Sequence, residues 1–357
     1  MRYKIIILCL LCVSVFPSIA QQYKAELPYR MVGGKMVVEM KLNGTLRSFI
    51  FDTGASRTTL TGEFCREYGL AVTDSLEVTD ANGRKSFYPL VQIDSMETPD
   101  NVFRFKNVPA MKLPEPSPLA CFPIDGLIGS DLLAQSIVVI DGQKKTVTIT
   151  TAEKESSVSL RKMARFMQAR MPVISLQVGS GHNIICLFDT GCPRFLSLKE
   201  SDFEALPSGS AYEFLSEGRS VGSIGVGGIA AERVSRRVNF PLLSVAGTKF
   251  KNVIAETATP PYTLLGVKLL DYGKVTIDYP RARFYFESYK PENELEEKPH
   301  NVGLQVKDGD LVVAAVWGDM KDVVEMGDKV LKINGKPVGK YDFCEGILNG
   351  IPELKAK

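Results

Sequence analysis

The tripeptide Asp-Thr-Gly occurs twice, at Asp52-Thr53-Gly54 and Asp189-Thr190-Gly191, each time closing an apolar run, Ser48–Phe51 and Ile185–Phe188. Two carboxyl groups brought to about 3 Å cannot both ionise, so such a pair holds one proton and offers an acid and a base together. That combination activates a water molecule without a covalent intermediate. Gly54 and Gly191 let the backbone turn tightly enough for amides to face the carboxylates, and the hydroxyls of Thr53 and Thr190 are suited to tying the two loops together.

Other catalytic chemistries find little support. Only His182 and His300 are present, no Cys or His pair has metal-ligand spacing, and no motif places a histidine to activate a serine or a cysteine. Cys192, three residues after Asp189, reads as a small core residue. Neither a metal nor another cofactor is expected.

The elements around each aspartate repeat. Gly44 and Gly181 lie eight residues before Asp52 and Asp189 and mark tight turns between short strands. Leu127-Ile128-Gly129 and Leu264-Leu265-Gly266 follow the aspartates, and Val138–Asp141 matches Val275–Asp278, all at an offset of 137 residues. Phe105–Val108 answers Phe250–Val253 at 145 instead, so insertions and deletions compensate within the repeat. Alternating runs such as Met36–Leu42 predict strands with one buried face, and helices should be few and short.

On these residues the chain resembles the retropepsin-like and pepsin-like aspartic proteases over roughly residues 30 to 288, a family in which each half carries an Asp-Thr-Gly loop and an apolar-apolar-Gly segment. The resemblance implies a mainly β protein, with two retropepsin-like β-barrel halves related by a pseudo-twofold axis. It assigns Asp52 and Asp189 as catalytic and Thr53, Gly54, Thr190 and Gly191 as their supports. A peptide or protein substrate would lie against Ala55, Ser56, Asn82, Gly83, Leu127, Gly129, Ile224, Gly225, Leu264 and Gly266. One departure matters: Ala55 and Cys192 stand where pepsin-like members have Ser or Thr, and Pro193 removes an amide that Ser56 retains. Fewer donors to the charged form predict a less acidic dyad and a mildly acidic to neutral pH optimum. A non-catalytic peptide-binding protein that keeps the cleft is the alternative reading.

Two segments are candidate flaps. Thr79–Tyr88 contains Asn82-Gly83, a two-residue hairpin signal, and Gly222–Gly228 is glycine-rich. Beyond a polar linker, Val302–Val306, Leu311–Val316 and the Gly327–Val338 run resemble a PDZ domain, incomplete at its end. In that family a Gly-Leu loop, here Gly303, Leu304, Gln305 and Val306, binds a peptide's terminal carboxylate. Trp317 would report docking there by fluorescence.

The expected organisation is a signal peptide at 1–20, a first half at 25–151, a connector at 152–170, a second half at 171–288, a linker at 289–300 and a PDZ-like α+β module at 301–357. Arg2 and Lys4 before the apolar run Ile5–Val15, with Ser18-Ile19-Ala20 after it, predict cleavage after Ala20, export to the periplasm or beyond, and no membrane attachment afterwards. With 43 basic and 41 acidic residues the charge is balanced, which argues against nucleic acid as a partner. Five cysteines remain after the leader, Cys65, Cys121, Cys186, Cys192 and Cys344, an odd and scattered set that allows one bridge without assigning it.

Overall fold

The computed structural model describes residues 23–80, 82–151, 159–221, 224–229 and 231–355. The predicted leader, most of the polar stretch 152–161 and Gly222 and Ser223 of the second flap lie outside them. The protein is mainly β. Two large sheets of 13 and 10 strands carry the chain, and the longest described helix, Phe343–Asn349, has seven residues.

Each aspartate sits at the end of the second strand of a hairpin. Strands Lys35–Leu42 and Thr45–Phe51 are joined by Asn43-Gly44, whose φ angles of +48° and +80° make the primed turn that suits right-twisted strands. The run Phe49-Ile50-Phe51 is apolar at every position because it is covered on both faces, the usual state of a parallel strand. It lies parallel to Gly126–Ile128, pairing Phe49 with Gly126 and Phe51 with Ile128. In the second copy His182–Asp189 lies parallel to Thr263–Gly266, pairing Cys186 with Thr263 and Phe188 with Leu265. Every one of those pairs is the first set shifted by 137 residues.

The same arithmetic governs the surface where the copies join. Strand Ile137–Asp141 pairs antiparallel with Gly273–Asp278, and the central couple, Val139 with Thr276, is itself 137 residues apart. Lys24–Pro28 on Thr146–Thr150 is answered by Met163–Arg165 on Arg283–Tyr285: Leu27 faces Val147, and Ala164 faces Phe284. A continuous core runs through this junction, from Leu27 and Val147 to Ile277 and Phe284. Two stretches expected as linkers are therefore partly strand. Met163–Arg165 falls in the 152–170 connector, and Asn293–Glu294, in the 289–300 linker, lies beside Phe250–Lys251 with Asn293 and Leu295 buried.

The C-terminal segment is attached to both copies. Strand Asp310–Trp317 adds to the second copy's strand Glu213–Ser220, pairing Gly218 with Trp317 and Ser220 with Ala315. Helix Phe343–Asn349 is bonded to the first copy by a disulfide, Cys344 to Cys121. Its Ile347 and Leu348 pack on Leu119, Phe122 and Leu127. Cys65, Cys186 and Cys192 are buried free thiols.

Gly303, Leu304, Gln305 and Val306 are not in a loop. They lie in the strand Val302–Lys307, which pairs with Asp310–Trp317 through a register shift at Gly303 and Leu304. Val306 is core, packed with Leu311 and Ile351. Trp317 is 2% exposed, covered by the Arg237 guanidinium 4.1 Å from its ring centre, so it reports the junction with the second copy and not an open binding surface.

Candidate active site

The two Asp-Thr-Gly loops meet face to face. Thr53 Oγ1 donates to the Phe188 carbonyl at 2.7 Å and accepts from the Thr190 amide at 3.1 Å. Thr190 Oγ1 reciprocates, donating to the Phe51 carbonyl at 2.6 Å and accepting from the Thr53 amide at 3.0 Å. Both threonines are fully buried. Four bonds between the copies thus fix the loops against each other with no contact to solvent, where each is electrostatically strengthened.

This clamp brings Asp52 and Asp189 within hydrogen-bonding reach of each other. The glycines allow it. A Cβ on Gly54 would sit 2.5 Å from Asp189 Oδ1, and one on Gly191 would sit 2.6 Å from Asp52 Oδ2. No side chain fits at either place.

The pair is not equivalent electrostatically. Asp52 Oδ1 accepts from the Gly54 amide at 3.0 Å and the Ala55 amide at 2.9 Å. Asp189 Oδ1 accepts from the Gly191 amide alone, at 2.7 Å, while the Cys192 amide turns to the Asp189 main-chain carbonyl. Burial and the neighbouring Asp52 charge hold Asp189 well above the usual carboxylate range, against the opposing pull of Lys35 and the Gly191 amide. Burial also pushes the Cys192 thiol up to about 11, which keeps it neutral and unreactive at physiological pH.

Behind the first loop, Ser130 Oγ donates to the Thr53 carbonyl at 2.8 Å and meets Tyr279 Oη at 3.2 Å. Asp131 accepts from both the amide and hydroxyl of Thr58 at 2.8 Å. Gly129 and Gly266 belong to this supporting layer: each comes so close to main chain of the neighbouring segment, Arg57 and Arg194 respectively, that only glycine fits.

The aspartates lie at the base of a cleft of about 590 Å³. Ala55, Ser56, Leu127, Gly225 and Leu264 line it as expected, together with Lys35, Ile50, Met111, Leu119, Leu187 and Tyr262, which the sequence reading did not single out. Apolar side chains dominate both walls. Leu119 had no repeat signal because it belongs to the short 3-10 turn Pro118–Cys121, whose second-copy counterpart is absent from the aligned motifs.

Two hairpins cover the cleft. The first, Asp74–Thr79 with Lys85–Glu97, sends Leu76 to Asp80 over the opening. Its tip is a three-residue loop rather than the two-residue Asn-Gly turn, because Asp80 Oδ1 captures the amides of Asn82 and Arg84 at 2.8 and 2.9 Å. Asp80 and Arg84 close the ladder, and Gly83 takes φ +76°. The second, Ile224–Gly225 with Gly228–Ile229, turns at Val226-Gly227. The tips touch: Asn82 Nδ2 donates to the Gly228 carbonyl at 3.2 Å and Arg84 to the Gly227 carbonyl at 2.9 Å. Asn82 and Gly83 are therefore lid residues that do not line the cleft themselves.

Residues 38–132 match the model of an aspartyl protease family. The matched segment contains Asp52, the first hairpin lid and Leu127-Ile128-Gly129, that is, the first copy of the repeat. No curated protein matches the chain.

Proposed function

We propose that the chain is an exported aspartic endopeptidase made of two retropepsin-like halves about a pseudo-twofold axis, which hydrolyses peptide bonds through water held between Asp52 and Asp189. The observation that carries this reading is the reciprocal threonine clamp that holds the two carboxyl groups together at the base of a covered cleft. Two amides point at Asp52 and one at Asp189, so the shared proton sits on Asp189. Asp52 then takes a proton from the water as the oxygen attacks the scissile carbonyl, and Asp189 donates its proton to the carbonyl oxygen. The resulting tetrahedral species collapses with transfer of a proton to the leaving amine, and the dyad returns to its singly protonated state.

The walls formed by Ile50, Leu119 and Leu127 on one side and Leu187, Tyr262 and Leu264 on the other favour apolar side chains flanking the scissile bond. The Cys121–Cys344 bridge supports an oxidising compartment, in keeping with the predicted leader. A peptide's C-terminal strand is proposed to add along Val302–Lys307, the outermost strand of its sheet.

The test is cleavage of a peptide library by the mature protein beside Asp52→Asn and Asp189→Asn. Cleavage by the parent alone supports the assignment. Peptide binding by all three without cleavage by any supports the non-catalytic alternative, and cleavage surviving either change assigns the activity elsewhere.

A further inference from the structure

Lys35 opens the strand Lys35–Leu42 immediately after the turn at Gly33 and Gly34, whose φ angles are +53° and +76°. In the 137-residue correspondence its partner position is Pro172, so this cation has no equivalent in the other copy. Its ammonium donates to the Gly191 carbonyl, in the Asp-Thr-Gly loop of the opposite copy. The side chain is half-buried and shares the cleft with both aspartates.

That hydrogen bond goes to a neutral carbonyl, which leaves the ammonium charge to act on its surroundings. Those surroundings are specific. From the loops come Asp52, Asp189 and the neutral Cys192 thiol; from the first lid come Glu77 and Asp80, the latter facing Arg84 at 3.5 Å. Arg57 also reaches the cleft but lies 3.7 Å from Asp131, and Tyr279 is buried behind Ser130. Lys35 is thus the cation placed against the second Asp-Thr-Gly loop. A singly protonated dyad carries one negative charge, which one ammonium balances; a fully protonated dyad beside the same ammonium leaves a positive charge in a covered apolar cleft.

We propose that Lys35 is a positioning residue of the dyad, which anchors the second Asp-Thr-Gly loop through the Gly191 carbonyl and supplies the charge that keeps one carboxyl ionised while the other holds the shared proton. The inference rests on the catalytic reading of Asp52 and Asp189. The direction of the Asp189 shift agrees, since burial and Asp52 raise it and Lys35 opposes them.

The experiment compares the mature parent with Lys35→Met and Lys35→Arg in two readouts: the pH profile of kcat/KM on a peptide substrate, and a carbon-13 carboxyl NMR titration of the aspartates. Removing the charge should move both limbs of the profile, and the titration of the pair, to higher pH by about one unit, the low end of what an opposite charge at close range gives. Lys35→Arg should restore the parent values. Unmoved limbs in Lys35→Met with a merely lower kcat would reduce Lys35 to a structural anchor and overturn the proposal. Should the parent cleave nothing, the catalytic reading fails by itself, and the carboxyl titration still decides: unchanged in Lys35→Met, it overturns the charge role.

Discussion

Replacing Thr53 by Val removes one hydroxyl and keeps the shape of the side chain. The hydroxyl makes two bonds, to the Phe188 carbonyl and the Thr190 amide, in a place with no solvent access. Each buried backbone group left without a partner costs about 1–3 kcal/mol. Two such groups, less the gain from burying a methyl in place of the hydroxyl, give a loss of about 2–4 kcal/mol, a large fraction of the 5–15 kcal/mol typical of a folded domain. Thr190→Val should cost a similar amount, because its hydroxyl makes the matching bonds at 2.6 and 3.0 Å. Thr53→Ser keeps both bonds and should stay within about 1 kcal/mol of the parent. Urea unfolding of the mature, disulfide-intact protein reads all three, and peptide cleavage by the same samples should fall with the two valine variants. A midpoint shift for Thr53→Val equivalent to less than about 0.5 kcal/mol, within the range of ordinary surface substitutions, would refute the argument that the clamp holds the loops together.

Gly54→Ala should abolish cleavage while leaving a folded protein, because the new methyl would collide with the Asp189 carboxyl; circular dichroism beside an activity assay separates the two effects. Cleavage should peak at mildly acidic to neutral pH, as the burial-raised Asp189 keeps its proton beyond the ordinary carboxylate range, and a peak below about pH 3 would contradict this. Asp189→Asn should gain stability over the parent at neutral pH: a carboxyl with a raised folded pKa binds its proton more tightly folded than unfolded. Its stability contribution is complete below the unfolded value of about 4 and is lost as pH rises through the folded value, so the advantage of the asparagine variant should vanish in acid when melting temperatures are compared across pH. Cys344→Ser, which opens a covalent link spanning 223 positions, should lower stability by about 2–4 kcal/mol in urea.

The repeat was the most legible part of the sequence because a fixed offset in chain position becomes a fixed register in a sheet. Motifs 137 residues apart returned as equivalent pairs, Phe51 with Ile128 and Phe188 with Leu265, and Val138–Asp141 found its own counterpart as a sheet neighbour. The 145-residue offset was legible in the same way: Thr59 faces Met111 in one copy and Ser197 faces Glu256 in the other, the second members separated by that interval. What escaped depends on side chains that carry no periodic signal. The Asn82-Gly83 turn was rewritten by the Asp80 carboxylate, which competes for the amides that set the loop length. Lys35 was missed because a single cation before an apolar strand looks like an ordinary strand end until the opposite loop is folded against it. Cysteine pairing over so long a separation leaves no local trace.

The last strand also has a protective consequence. By lying along Gly218, Arg219 and Ser220 it occupies amides and carbonyls that would otherwise be open to any extended chain nearby. Clipping the protein ahead of residue 301 would bare that row and turn the remaining chain into a template for self-association, so fragments trimmed at this point should aggregate faster than the intact molecule.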